Sequence, residues 1–260
     1  FYATLHHMKS FVNFAFYLTM NRTIKHFNFQ NIDLFKSLLF QWSQQFKIIC
    51  WLDANHHQDS YNSFEAILAV DEQSSIKLFT DKDAFHFLEV FQKKQQDYLF
   101  GFLTYVLKND VENLTSKNFD GLQFPSIYFF QPKKIIYIKD QIITFSYVED
   151  SKNDIETDFT SIVNQLIIVE AKKIKINETA IKQRISKQSY IEKCHQLIQH
   201  IHRGDIYEIN FCMEFFMEHT KINASEIFKK LNAISSPPFA SFFSVDNFYL
   251  CSASPERYLK

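Results

Sequence analysis

"IYEINFCMEFFM" (206–217) is the stretch whose reading decides the fold class. Tyr207, Ile209, Phe211, Met213, Phe215 and Met217 alternate with Glu208, Asn210, Cys212 and Glu214, the period-two pattern of a strand with one apolar and one polar face. Just upstream, Ile191, Cys194, Ile198 and Ile201 recur at helical spacing. Ser189 and Glu192 form an S-x-x-E capping box ahead of them, and Gly204 supplies a left-handed stop. Downstream, Asn223 and Glu226 open a second helix that runs through Leu231, and "SSPP" breaks it. "FASFFSV" and "FYLCS" then read as a hairpin around Asp246 and Asn247. Helix, strand, helix and hairpin succeed one another without a regular βαβ rhythm. That predicts an α+β fold of antiparallel sheets flanked by helices, not a doubly wound sheet.

The preceding residues repeat the mixture. Ile32, Phe35, Leu38, Leu39 and Trp42 lie on one helical face, and the strand-like "FKIICWL" (46–52) follows. "FEAILAV" (64–70) and "SSIKLF" (74–79) read as a strand pair around a turn at Asp71–Gln73. Ala84, Phe85, Leu88 and Phe91 mark a helix over 81–96, and "YLFGFLTYVL" (98–107) a buried strand. "PSIYFF" and "IIYIKDQIITFSYV" read as strands with a turn at Lys139–Gln141. Ile155, Phe159, Ile162, Val163 and Leu166 share a helix face over 155–169. The polar, basic "AKKIKINETAIKQRISKQ" (171–188) is the natural connection, which divides the chain into an amino-terminal region 1–185 and a second region 186–260.

Composition excludes several classes. Three glycines, Gly101, Gly121 and Gly204, stand too far apart for a phosphate-cradling loop or a dinucleotide-binding turn. A net charge of −1 with both signs interspersed gives no nucleic-acid footprint. Cys50, Cys194, Cys212 and Cys251 form no CxxC pair and have apolar neighbours, so they read as buried reduced thiols in a cytoplasmic protein. The apolar run Phe11–Met20 is interrupted by Asn13 and is shorter than the ~20 residues of a bilayer span, so no membrane association is expected. Phe1 in place of Met, with Met8 as an internal start candidate, reads as a piece of a longer protein.

Three clusters bear on chemistry. His195 and His200 lie about 140° apart around a helix, so they share no metal-binding face and read, with His202, as surface residues. Glu208, Asn210 and Glu214 line the polar face of the 206–217 strand, which is either solvated or the floor of an enzyme cavity. Glu256, between Pro255 and Arg257, is either half of a surface ion pair or a carboxyl held at a fixed angle for chemistry.

Taken together, "HIHRGDIYEINFCMEF" (200–215), "LNAISSPPFASFF" (231–243) and "LCSASPERYLK" (250–260) resemble the chorismate-utilising enzymes, which include the large subunits of anthranilate synthase and aminodeoxychorismate synthase and the isochorismate and salicylate synthases. The order is the family's: helix, G-D-x-Y-x-x-N, helix, proline turn, S-P-E-R. "YLFGFLTYVLKNDVENL" (98–114) and "FPSIYFFQP" (124–132) resemble the aminodeoxychorismate branch, with Val106 where that branch has an aspartate. The resemblance implies an anthranilate-synthase-like fold, incomplete here, and displacement of the chorismate ring hydroxyl with magnesium on the ring carboxylate. It assigns the general acid to Glu256, and places Glu208 and Ser254 against the substrate. A general acid keeps its proton near neutral pH through burial or a like-charged neighbour.

Glu208 stands where water-adding members carry a lysine base and amine-adding members a glutamine, which favours ammonia addition. Anthranilate synthases resemble "LLES" and "NPSPYM" where this chain has "WLDAN" (51–55), with Ala54 at the serine position, and "SSPPFA" (235–240). Both departures weaken a tryptophan feedback pocket. The resemblance therefore implies component I of aminodeoxychorismate synthase, working with a glutamine amidotransferase subunit, component II, that supplies ammonia; the alternatives are anthranilate synthase component I and a non-catalytic truncated homologue. The family's nucleophilic lysine and magnesium-ligating glutamates follow S-P-E-R, so this chain alone is expected to be inactive.

Overall fold

A computed structural model describes residues 22–57, 64–80, 82–112, 114–165 and 181–257. The apolar run at 11–20, Leu166 of the 155–169 helix and most of the 171–188 connection lie outside them. The chain forms two compact units, Phe1–Val169 with Ala224–Lys260, and Glu170–Asn223.

The first unit is built on an eight-stranded antiparallel sheet. Its strands are β1 (Arg22–Phe27), β2 (Ile49–Asp53), β3 (Ala66–Leu78), β4 (Phe100–Leu103), β5 (Ile127–Lys139), β6 (Ile142–Val148), β9 (Phe239–Val245) and β10 (Phe248–Ser254). Spatial order is β1-β6-β5-β3-β2-β9-β10, with β4 on the amino-terminal half of β5. The α+β expectation holds, and so does the β9–β10 hairpin around Asp246 and Asn247.

Period two explains the layering. Trp51, Leu68, Ile136, Phe145 and Phe242 point to one face, which is covered by α1 (Ile32–Ser43), α4 (Ile155–Val163) and α6 (Ala224–Ser235). Phe40 of α1 lies 5.6 Å from the Trp51 ring, 5.3 Å from Phe228 of α6 and 5.4 Å from Phe242 of β9, so one ring joins two helices and two strands. On the other face a smaller cluster of Cys50, Ala69, Tyr128, Phe130, Phe243 and Val245 sits under β4. Burial there pushes the Cys50 thiol up to about 12, which makes it an inert packing group. Cys212, by contrast, is exposed. The helix α2 (Ala84–Gln95) packs Ala84 and Leu88 against Leu107 and Ile127.

Three elements differ from their sequence reading. "FEAILAV" and "SSIKLF" are one strand, β3, because both halves pair with β5; the 71–73 irregularity is a bulge opposite Pro132, which has no amide hydrogen to offer a ladder. Likewise "PSIYFF" and "IIYIK" form the single strand β5, and only Asp140 and Gln141, both with positive φ, make the turn into β6. In "YLFGFLTYVL" the strand is limited to Phe100–Leu103, and a 3₁₀ turn at Tyr105–Leu107, followed by the single-turn α3 (Lys108–Val111), leaves Tyr105 exposed.

Gly101 decides how closely β4 can approach β5. A Cβ there would lie 2.0 Å from the Tyr128 carbonyl oxygen and 2.7 Å from the Phe129 Cα, both backbone atoms that cannot swing aside. Gly101→Ala is expected to destabilise the chain by about 1–3 kcal/mol or to displace β4. Urea unfolding checks this, and an unchanged midpoint would contradict it.

The second unit contains β7 (Lys182–Gln183), α5 (Lys187–Arg203) and β8 (Phe215–Phe216). Ser186, not Ser189, is the N-cap of α5: its side chain accepts the Ser189 amide hydrogen at 3.1 Å. Gly204 takes φ 81° at the carboxyl end, as expected of a left-handed stop. The alternating stretch 206–217 is mostly not a strand. Only Phe215 and Phe216 pair, with Gln183 and Lys182, and Tyr207 is 92% exposed. Alternation marks an apolar face, but a strand also needs a neighbouring strand to satisfy its backbone, and among the described residues 206–214 pairs with none, although the Glu214 carbonyl accepts from the Arg184 amide at 3.0 Å and the Phe211 carbonyl from the Tyr190 hydroxyl at 3.3 Å.

Candidate functional site

The candidate site is built from the β9–β10 hairpin upward. Ala240 and Phe242 turn into the helix-covered core. Ser241 faces the opposite side, paired with Ser252, and Phe239 is paired with Ser254. Beyond the hairpin Ser254 closes a tight turn over Pro255. Its Oγ donates to the Glu256 carbonyl oxygen at 2.9 Å and accepts the Glu256 amide hydrogen at 3.2 Å. The hydroxyl's one proton thus goes to the turn that aims Glu256.

This wall borders a cavity of about 800 Å³. Leu52, Ile67, Ser241 and Ser252 line its sheet side, and Glu65, Ser254, Glu256 and Arg257 its polar edge. β2 delivers Leu52 opposite Ser241 and Asp53 opposite Ala240, so the end of "WLDAN" reaches the same cavity as the proline turn. Asp53 is held by Lys36 of α1 at 2.6 Å, with side-chain exposures of 6% and 9%. Glu65 accepts the Gln141 amide hydrogen at 3.0 Å. The Arg257 guanidinium stands 5.0 Å from the Phe239 ring centre, a cation–π distance that keeps it at the rim. The arrangement offers the carboxyls of Glu65 and Glu256, hydroxyls along one wall and an arginine beside them, which suits a compact, polar ligand.

Ser254 and Glu256 therefore come together in the first unit. Glu256 is exposed, so the burial expected around a general acid is not supplied by the described residues. Glu208 belongs to the other compact unit, exposed, in an irregular segment instead of on a strand face. Asn210 lies in the same irregular segment, and Glu214 pairs with Arg184 at 2.8 Å. Sequence reasoning missed Asp53, Glu65, Ser241 and Ser252. The signal for the serines was the i, i+2 spacing of Ser252 and Ser254 on a hairpin, which puts both on one face. Magnesium, implied by the resemblance, finds no home here: among the described residues no three His, Cys, Asp or Glu side chains cluster to hold a metal ion. Among the described residues, no helix is long and apolar enough to cross a membrane.

The chorismate binding enzyme family model matches residues 46–260. The chain is 24% identical over 164 residues to an anthranilate synthase component I-like protein of Synechocystis sp., covering 62% of this chain and 33% of that one. It is 29% identical over 82 residues to aminodeoxychorismate synthase component 1 of Klebsiella aerogenes, covering 32% and 18%, and 30% identical over 77 residues to the Escherichia coli K12 protein of the same name, covering 29% and 16%. It spans a third or less of the length of these curated relatives. Among solved structures, the menaquinone-specific isochorismate synthase MenF of Escherichia coli aligns with a TM-score of 0.48 at 14% identity, covering 92% of this chain and 52% of that one. With the family model running from the "WLDAN" segment through the Glu256 turn, this chain belongs to the chorismate binding enzymes.

Proposed function

We propose that this chain is part of component I of aminodeoxychorismate synthase, which exchanges the chorismate ring hydroxyl for an amino group on the way to 4-aminobenzoate and folate. Glu256 is the general acid: it gives a proton to the leaving hydroxyl, which departs as water while ammonia takes its place. Ser254 holds the turn that aims Glu256, and Glu208 belongs to the substrate-facing set of the complete enzyme. Magnesium, bound by residues other than those described, would neutralise the ring carboxylate. A glutamine amidotransferase subunit supplies the ammonia.

One observation carries the choice of product. Ala54 and the Pro238–Ala240 segment line the same cavity, so the two departures from the anthranilate synthase pattern converge on one place. The Ala54 methyl cannot give the hydrogen bond a serine there would give an amino acid. That supports an enzyme without tryptophan feedback, and two relatives are named aminodeoxychorismate synthase component 1. Anthranilate synthesis is the second reading, favoured by the name of the relative with the longest match among those compared. Tryptophan at micromolar concentration is expected to leave the activity of the polypeptide from the complete reading frame unchanged. A saturating inhibition curve would return anthranilate synthesis to first place.

A further inference from the structure

We propose that Asn55 is the positioning residue for the Ser254–Glu256 wall. Asn55 and His56 follow β2 with φ 46° and 63°, two successive left-handed residues without a glycine. Such a backbone persists only where its surroundings hold it. Here the hold is buried. Asp53 Oδ1 accepts the Asn55 amide hydrogen at 2.8 Å and is itself fixed by Lys36.

From that posture one side chain makes three hydrogen bonds. Asn55 Nδ2 donates to Asn232 Oδ1 and to the Pro237 carbonyl, each at 2.8 Å, and Asn55 Oδ1 accepts from Asn232 Nδ2 at 3.0 Å. His57 Nε2 adds a donation to the Ser236 carbonyl at 2.8 Å. Asn232 lies in the last turn of α6, and Pro237 in the turn that enters β9. Ser236 between them is again left-handed, φ 39°, and its amide donates to the Asn232 carbonyl at 2.8 Å.

Two strained loops are thereby locked to each other at the point where the chain leaves α6 for the hairpin. Phe239, two residues beyond Pro237, is the register partner of Ser254, so the entry angle of β9 sets where Glu256 stands. The amide pair joins the loop at the end of β2 to the last turn of α6, 177 residues away in sequence.

The test is peptide-resolved hydrogen–deuterium exchange on the 260-residue chain carrying Asn55→Gly, which keeps the left-handed backbone and removes the side chain. Exchange in 233–241 and 252–257 is expected to rise by about tenfold or more, with 134–148 unchanged, as a local opening requires. Asn232→Ala approaches the same bonds from the other side and should give the same pattern, with the double variant no worse than either single one. Unchanged exchange in 252–257 would overturn the proposal. So would an equal rise across 134–148 or loss of a cooperative melt, each of which would make Asn55 a general stability residue. The consequence for catalysis rests on the reading of Glu256 above. The exchange is read without ligand, so its failure leaves that reading intact, and failure of that reading leaves the exchange result standing.

Discussion

Glu256→Ala, introduced into the polypeptide from the complete reading frame, is expected to lower kcat by about 10²–10⁴-fold, the range that a positioned general acid contributes. Hydroxide leaves poorly, so the proton that Glu256 supplies is needed in the transition state and not in the bound complex. KM should therefore move little, since an interaction made only in the transition state appears in kcat. Stability should also hold. Glu256 is exposed, and substitution at such sites ordinarily stays within about 0.5 kcal/mol. A fall in melting temperature with full specific activity in the remaining folded protein would instead assign Glu256 to the structure of the turn.

Asp97→Ala is expected to cost about 3–5 kcal/mol of stability, because it leaves the buried Arg22 guanidinium without its counter-charge. Arg22 is the hub of β1. It makes a two-nitrogen contact with Asp97, at 2.9 and 2.7 Å, and donates to the carbonyls of Ser146 and Pro132. Side-chain exposures of 4% and 0% put the pair out of water. Gln131 Nε2 completes the Asp97 carboxylate at 2.8 Å.

Burial alone would raise the Asp97 carboxyl, but the Arg22 and Gln131 hydrogen bonds and the Arg22 charge outweigh it and hold it below the usual carboxylate range. A depressed carboxyl contributes stability that is present above the unfolded value, about 3.9, and is lost as pH falls through the lower folded value. The wild-type chain should therefore lose this increment below about pH 4, whereas Asp97→Ala should lose none from this group. Urea midpoints at pH 7 and pH 3 measure both effects. Equal midpoints for the two proteins at pH 7 would refute the pairing. Arg22→Met combined with Asp97→Leu should recover much of the loss, since an apolar pair leaves no orphaned charge.

The same contrast between local and distant partners explains what the sequence discloses. The β9–β10 hairpin, the Gly204 stop and α1 are specified by residues within a few positions, and each stands where the pattern puts it. The bulge in β3 was hidden because turn-prone residues at 71–73 look local, whereas the register is dictated by β5, some 60 residues on. The stretch 206–217 shows the reverse. Its alternation is clear, but a strand depends on a neighbour, which the described residues provide only at Phe215 and Phe216. For the site, "SPER" singled out Ser254 and Glu256 through its resemblance, and the two share one turn beside the cavity. Asp53, Glu65 and Asn55 were invisible because their roles are set by Lys36, Gln141 and Asn232, which pair with them only in the folded chain.

Product identity tests the central claim most directly. The polypeptide from the complete reading frame, given chorismate, ammonia and magnesium, is predicted to form 4-amino-4-deoxychorismate, read by mass spectrometry and by its conversion to 4-aminobenzoate with added lyase. Anthranilate or isochorismate as the main product would contradict the account.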